Sequence, residues 1–330
     1  MGETKYIADN NRYKNSQTIY RRCGHSGILL PKVSLGMWQN FGSTSPFERS
    51  RSILHTAFDN GITHFDLANN YGPPYGTAEE TFGKIMEQDF RPYRDEMFIC
   101  TKAGYDMWEG PYGNWGSRKY LMASIDQSLR RMKLDYVDLF YTHRYDPHTP
   151  LEETLQAIVD IVRAGKSLYA GISRWPLNAL KFAYDYLKER DVPLLIYQGR
   201  LNLIDRTPQE EGILDFCHEK GVGFISFSPL AQGLLTERYL NDIPKDSRMS
   251  ESRTLTPERL TPQLMEYLHT LKSIADSRGE NMAQTALAWI LAQKGVTSTL
   301  IGASSTEQLK RNLSCINSVP FTHEQLMLLQ

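Results

Sequence analysis

The chain has 330 residues, 41% of them hydrophobic and 11% aromatic, enough for a large core at a length that α/β barrels routinely use as one domain. A net charge of −1 and a pI near 6.7 exclude a general electrostatic pull toward nucleic acid or membrane surfaces. No run approaches the ~18 apolar residues of a membrane span, and Cys23, Cys100, Cys217 and Cys315 are widely spaced with no metal-type pair, so a reduced, cytoplasmic protein without a metal is expected.

In chain order, residues 1–17 are polar, carry no apolar signal-peptide stretch and read as an N-terminal arm. TIYRRCG and ILLPKV, joined by the turn HSG, form a predicted β-hairpin. Four β-like runs follow in the first half: VSLGMW near 33–38, HFDLA near 64–68, MFICTK near 97–102 and VDLFYT near 137–142. Four more complete the set: LYAGIS near 168–173, LLIYQG near 194–199, GFISFS near 223–228 and STLIGA near 298–303. Amphipathic stretches such as PFERSRSILHTAFDNG, SRKYLMASIDQSLRRMKL, PLEETLQAIVDIVRAGK and NALKFAYDYLKERD separate them, several closing on Gly or a basic last turn. Strands alternating with helices argue for a parallel sheet, and eight is the number a closed barrel needs. The expected fold is an α/β (β/α)8 TIM barrel, one domain over residues 1–330, whose N-terminal hairpin closes the bottom mouth.

The C-terminal strand ends of such a barrel converge on one pocket. Four residues sit at or just past these ends: Asp66 and Tyr71 in HFDLANNYG, Lys102 in FICTKAG and His143 in LFYTHR. Singly, each has an ordinary structural explanation as a turn cap, a packed ring or a satisfied strand-end side chain. Jointly, they fit carbonyl reduction. A phenol titrating near ~10 is a poor acid at neutral pH, and a nearby ammonium lowers that value by stabilising the phenolate. Tyr71 is then the proton donor, Lys102 its tuner, Asp66 the anchor of Lys102, and His143 a hydrogen-bond donor to the substrate oxygen. A competing assignment pairs carboxylates, Asp66 with Asp138 or Asp146, for acid–base chemistry.

Two loops are longer than connection requires. GYDMWEGPYGNWGSRKY, after Lys102, carries Tyr105, Trp108, Tyr112, Trp115 and Tyr120 and reads as a pocket wall or lid. TERYLNDIPKDSRMSESRTLTPERL carries Arg238, Lys245, Arg248 and Arg253, and is either a solvated loop or a clasp over an anionic cofactor. IGASS followed by EQLKRNL is a strand, a turn and a helix N-terminus; on residues alone it is first an ordinary βα junction, and second an anion site.

From about residue 18 onward the chain resembles the aldo-keto reductase superfamily. GITHFDLANNYG, TKAG and YTHR resemble its catalytic tetrad, RRMKLDYVDLFYTH and GISRW its middle signatures, and FSPLAQGLL and IGASSTEQLKRN its cofactor-binding segments. NNYGPPYGTAEETFG and KAGYDMWEGPYG further resemble a bacterial subgroup of L-glyceraldehyde 3-phosphate (methylglyoxal) reductases. The resemblance implies a barrel that binds NADP(H) in extended form. Trp38, Ser173, Arg174 and Gln198 would meet the nicotinamide end, with Phe227 stacking on it. Ser228, Leu230, Gln232 and Gly233 would follow the pyrophosphate, with Arg238 and Arg248 reaching over it. Gly302, Ser304, Gln308 and Asn312 would hold the adenosine side.

The implied activity is NADPH-dependent reduction of small aldehydes or ketoaldehydes, with a small carbonyl substrate, no nucleic-acid or membrane partner, and homo-oligomerisation left open. The related cytoplasmic β-subunits of potassium channels offer the alternative of an NADPH-binding regulatory subunit, but they carry asparagine where this chain has His143. No motif fixes the residue that reads the adenosine 2′-phosphate. EQLMLLQ is expected to stop in the middle of a last helix, leaving little to enclose a bulky ligand, so short polar aldehydes are favoured. Arg144 and Arg118 are the cations available to a phosphorylated substrate.

Overall fold

Apolar runs bounded by turns become ten strands in the computed structural model, which describes residues 5–245, 247–251 and 255–330, apart from the side chains of Arg248 and Glu251. β1 (Tyr20–Arg22) and β2 (Leu29–Pro31) form an antiparallel hairpin. β3 (Val33–Gly36), β4 (His64–Asp66), β5 (Phe98–Ala103), β6 (Val137–Thr142), β7 (Ser167–Ser173), β8 (Leu194–Arg200), β9 (Gly223–Phe227) and β10 (Val296–Ile301) close into a parallel barrel in which β10 pairs with β3. These are the eight predicted runs. β5, β6 and β10 are buried at every position, because a barrel strand has side chains packed inside it and helices packed outside.

The helices alternate with the strands as the amphipathic spacing demands. In the helix Leu151–Arg163 the buried positions include Leu155, Ile158 and Val159, a stripe at intervals of three and four. Ser117 starts the helix Arg118–Met132 by accepting a hydrogen bond from the Tyr120 amide, and Lys133 ends it in a left-handed turn. None of the described helices is long and apolar enough to cross a membrane.

The hairpin closes the barrel floor. Cys23 and Leu30 are fully buried with Phe98, Leu195, Ile225 and Leu300. The close approach depends on Gly24, at φ +53°, where a Cβ would stand 2.0 Å from the carbonyl oxygen of Gly221, the group that accepts from the His25 amide. Upstream, Tyr6 stacks on His55 at 3.9 Å and donates to Asp59, while Arg12 pairs with Glu96.

The last helix departs from expectation. It spans His323–Leu328, opened by a Thr322–Gln325 capping box, and ends before the final residue. Leu329 is buried, and its carbonyl accepts from Arg206 and from Tyr267. The residues that receive its end, Arg206 and Tyr267, lie far away in sequence, so the segment alone did not show that it closes there.

One helix contact gives a test of the outer layer. Gly83, inside the helix Thr77–Ile85, lies so close to the helix Arg118–Met132 that a Cβ would stand 2.1 Å from the Arg131 carbonyl oxygen. Helix propensity favours alanine there by up to ~1 kcal/mol, whereas overpacking costs ~1–3 kcal/mol. Gly83→Ala is therefore expected to lower the urea midpoint at unchanged m-value. A raised midpoint would show that the two helices are not in contact at this point.

Candidate active site

Strand register fixes which side chains share the barrel mouth. Asp66 is the Cα partner of Cys100, and Lys102 lies two residues further along β5, so alternation places Asp66 and Lys102 on the same inner face. Lys102 is level with Tyr141 on β6, which puts His143 one step above it at the rim. Tyr71 arrives from the loop after β4. A turn in which the Tyr71 amide bonds the Ala68 carbonyl, and a bond from the Asn69 amide to the Lys102 carbonyl, bring its ring over the lysine.

The resulting row is continuous. The Lys102 Nζ donates to Asp66 Oδ2 at 2.5 Å, to the Leu67 carbonyl at 2.7 Å and to the Tyr71 hydroxyl at 3.3 Å. Gln198, from β8, donates to the other Asp66 oxygen at 3.0 Å. Lys102 and Asp66 are fully buried, and the Tyr71 ring meets His143 edge-on at 5.7 Å.

The electrostatics follow from burial and charge. Burial works to lower the Lys102 pKa, but the adjacent Asp66 charge and the hydrogen bonds to Asp66 and Tyr71 outweigh it, and the net direction is up. Burial pushes the Asp66 carboxyl up, against the pull of Lys102 and Gln198. Tyr71 differs from expectation: burial, the larger influence, raises its pKa above the ordinary value, and the charge of Lys102 only offsets part of the rise. The phenol is thus firmly protonated, with an ammonium in place to receive the charge of a phenolate. Burial, and then the charges of Lys102, Arg174 and Arg144, hold His143 well below the ordinary imidazole value. His143 is a neutral imidazole, with Nδ1 buried and unpartnered.

The carboxylate-pair alternative fails on geometry. Asp138 pairs with Arg94 at 2.9 Å and accepts from the Ile99 amide, and Asp146 holds the Gly116 amide and the Thr149 hydroxyl. His64, Asp66 and Cys100 bring potential metal-ligand atoms within 4.8 Å of one another. Both Asp66 oxygens are already engaged by Lys102 and Gln198, however, and His64 Nδ1 bonds Ser34 at 2.8 Å.

The residues expected to hold a cofactor lie along the same C-terminal rim, from β7 round to β3. Ser173 ends β7, with a buried Oγ that has no protein partner. Arg174 follows at φ +60° and donates to the Tyr105 hydroxyl at 2.8 Å. Phe227 ends β9, with the guanidinium carbons of Arg174 and Arg200 at 6.0 and 5.7 Å from its ring centre. Ser228 at φ +52°, Gln232 at φ +61° and Gly233 at φ +99° make the tight turn after β9, and Leu230, within it, packs against the hydrophobic core. Trp38, beyond β3, is 42% exposed, and Arg238 lies in the short helix Glu237–Tyr239. The Arg248 side chain lies outside the described residues. After β10, a Cβ at Gly302 would stand 4.0 Å from the Gly36 carbonyl oxygen, Ser304 and Gln308 bond each other, and the Nδ2 of Asn312 is buried without a protein partner.

Comparison with known proteins agrees with this architecture. The aldo/keto reductase family profile matches residues 32–330. The chain belongs to that family. It is 52% identical over 325 residues to the L-glyceraldehyde 3-phosphate reductase of Escherichia coli strain K12, covering 97% of this chain and 93% of that one. It is 33% identical over 308 residues, 91% and 92% of the two chains, to a probable voltage-gated potassium channel subunit beta of Arabidopsis thaliana. A solved structure of a thermostable aldo-keto reductase with the inhibitor epalrestat superposes with a TM-score of 0.73 at 30% identity, covering 94% of this chain and 98% of that one. The protein is an oxidoreductase of the aldo-keto reductase class.

Sequence reasoning placed Tyr105 only among the loop aromatics and gave it no individual role beside His143. Tyr105 meets His143 edge-on at 4.7 Å, accepts from Arg174 and lies 4.4 Å from the Arg144 guanidinium carbon. Its only signal was its place three residues past Lys102, among five aromatics of one loop. Arg118, expected near the pocket, instead pairs with Asp160.

Neutral buried imidazoles give a pH test. The His64 pKa is lowered to about 3, chiefly by burial, and His143 is also lowered. The unfolded chain takes up these protons below ~6.5 while the fold does not, so their contribution is complete above that pH and lost as the pH falls. Unfolding free energy from urea titrations should decline from pH 7 toward 5.5, at up to ~1.4 kcal/mol per pH unit per histidine. A flat profile would mean that the fold accepts the protons.

Proposed function

We propose that this chain reduces small aldehydes and ketoaldehydes, of the methylglyoxal or L-glyceraldehyde 3-phosphate type, to alcohols with NADPH, using Tyr71 as proton donor. The observation that carries this reading is the buried row Asp66–Lys102–Tyr71, with neutral His143 beside the phenol. A bound reduced nicotinamide would supply hydride to the carbonyl carbon. Tyr71 would give its proton to the carbonyl oxygen as negative charge develops there. Lys102 would stabilise the phenolate left behind, and Asp66 with Gln198 would keep Lys102 aimed. His143, neutral in the field of three cations, would hold the oxygen by a hydrogen bond rather than by competing for the proton.

The cofactor assignment is supported by polar groups along the rim that lack protein partners. The Ser173 Oγ and the Asn312 Nδ2 are buried and unsatisfied, which is costly unless a ligand supplies the missing bond. Ser173, Arg174, Gln198 and Trp38 would hold the nicotinamide end, with Phe227 against its ring. Ser228, Leu230, Gln232 and Gly233 would line the pyrophosphate. Gly302, Ser304, Gln308 and Asn312 would line the adenosine side, and Arg238 with Arg248 would meet its phosphates.

The likeness to a probable potassium channel subunit beta supports a second reading, that of an NADPH-binding regulatory subunit. Steady turnover separates the two, since a regulatory subunit would retain its cofactor and consume little. Three arms test the proposal. Oxidation of NADPH with methylglyoxal and with glyceraldehyde 3-phosphate should be sustained, and absence of turnover with any small aldehyde would leave the regulatory reading. Tyr71→Phe should lower kcat by at least ~10²-fold with little change in NADPH affinity; near-normal turnover would remove Tyr71 as the acid. Replacing Arg238 and Arg248 together with alanine should weaken NADPH far more than NADH, whereas equal losses would show that neither reads the 2′-phosphate.

A further inference from the structure

The mouth of the pocket holds two guanidinium groups that lean on one tyrosine. Arg144 is half-buried between two rings, its guanidinium carbon 3.6 Å from the centre of Trp115 and 4.4 Å from that of Tyr105. Its Nε donates to the Gly104 carbonyl and its Nη2 to the Asn114 side-chain oxygen, both at 2.7 Å. Arg174 donates to the Tyr105 hydroxyl. Among the described residues neither arginine forms an ion pair, and Asp106 in the same loop accepts from Asn114 instead.

An arginine without a carboxylate could simply staple the loop 104–117, but its donor count argues for more. A guanidinium has five N–H donors, and Arg144 uses two of them within the protein. Three remain on Nη1 and Nη2, the pair that meets a phosphate with two parallel hydrogen bonds. The stack between two rings limits how the group can turn, and Trp115 itself stands at φ +68°, a conformation that non-glycine residues avoid. The Tyr105 ring that carries Arg144 and Arg174 also meets His143 edge-on at 4.7 Å. A carbonyl at His143 and an anion at the two arginines would therefore lie against one ring, separated by little more than a short carbon chain.

We propose that Arg144, assisted by Arg174 and aligned by Tyr105, binds the phosphate of a short phosphorylated aldehyde and so sets substrate preference. This rests on the reductase reading above. Arg118 takes no part, because it is committed to Asp160.

The test compares glyceraldehyde 3-phosphate with glyceraldehyde, which share a carbon skeleton and differ by the phosphate. In Arg144→Gln, the loss in kcat/KM on the phosphorylated aldehyde should exceed the loss on the free aldehyde by at least about tenfold, the scale of one or more charge-assisted hydrogen bonds. Tyr105→Phe, which keeps the ring but removes the acceptor for Arg174, should shift the ratio the same way by a smaller factor. Inorganic phosphate should inhibit the wild type competitively with glyceraldehyde 3-phosphate, and more weakly in Arg144→Gln. Equal losses on both aldehydes, or a wild type that prefers the free aldehyde, would overturn the phosphate assignment while leaving the reductase reading intact. If no aldehyde is reduced, the reductase reading fails instead. Calorimetric titration of the wild type and Arg144→Gln with inorganic phosphate then decides this site: binding weakened in the variant supports it, and no binding to the wild type overturns it.

Discussion

The ion pair between Lys102 and Asp66, buried at the barrel mouth, is the constraint around which the site is built. Removing two charges from water costs several kcal/mol per ion, and their mutual attraction offsets this only when the remaining polar positions are filled. Here they are filled by count. An ammonium has three donors, and Lys102 meets Asp66, the Leu67 carbonyl and the Tyr71 hydroxyl; the second Asp66 oxygen meets Gln198. A pair of well-packed apolar residues would serve stability as well or better, so the charges are better explained by what they do to Tyr71 than by what they do for the fold.

Backbone strain follows the same geography. Most of the described non-glycine residues at positive φ stand on the C-terminal side of the barrel: Gln39 and Asn40 after β3, Trp115 in the loop after β5, Arg174 after β7, and Ser228, Ala231 and Gln232 after β9. Such conformations cost on the order of 1 kcal/mol or more each and persist where surrounding contacts over-determine them. On the floor the demand for left-handed backbone is met mostly by glycines, as at Gly24 and Gly221, with Lys133 and Asp191 the exceptions. The floor is therefore built for closure, while the rim accepts strain to direct particular side chains and amides into the mouth.

This division also explains what could be read from the sequence. The barrel strands were legible because a strand packed on both faces leaves a short apolar run, and three of the runs, at β4, β5 and β6, ended at or beside residues whose chemistry made sense only jointly. Asp66, Lys102 and His143 were found because strand ends converge by topology, without any knowledge of side-chain contacts. Contacts that cross between loops left no such trace. Arg118 was assigned to the pocket by proximity in sequence, yet it opens a helix, and its neighbour across the helical layer is Asp160. The sign of the Tyr71 shift was misjudged for a related reason: the sequence supplied the ammonium but not the depth at which the phenol is buried.

The depth of burial and the excess of positive charge together assign different work to groups that otherwise look interchangeable. Lys102, Arg144 and Arg174 all act on His143, and with burial they keep its imidazole unprotonated. A protonated His143 would be a stronger acid than Tyr71 and would take over proton donation; a neutral one can offer only a hydrogen bond. The Tyr71 pKa is raised by burial, with Lys102 at 3.3 Å from its hydroxyl; in the proposed reaction the phenol would hold its proton until charge forms on an adjacent oxygen, and Lys102 would then favour its release. In the proposed reaction the cations thus set the order of events: anionic groups are drawn to the mouth first, the oxygen is held by a neutral donor next, and the proton moves only when the charge that attracts it has developed.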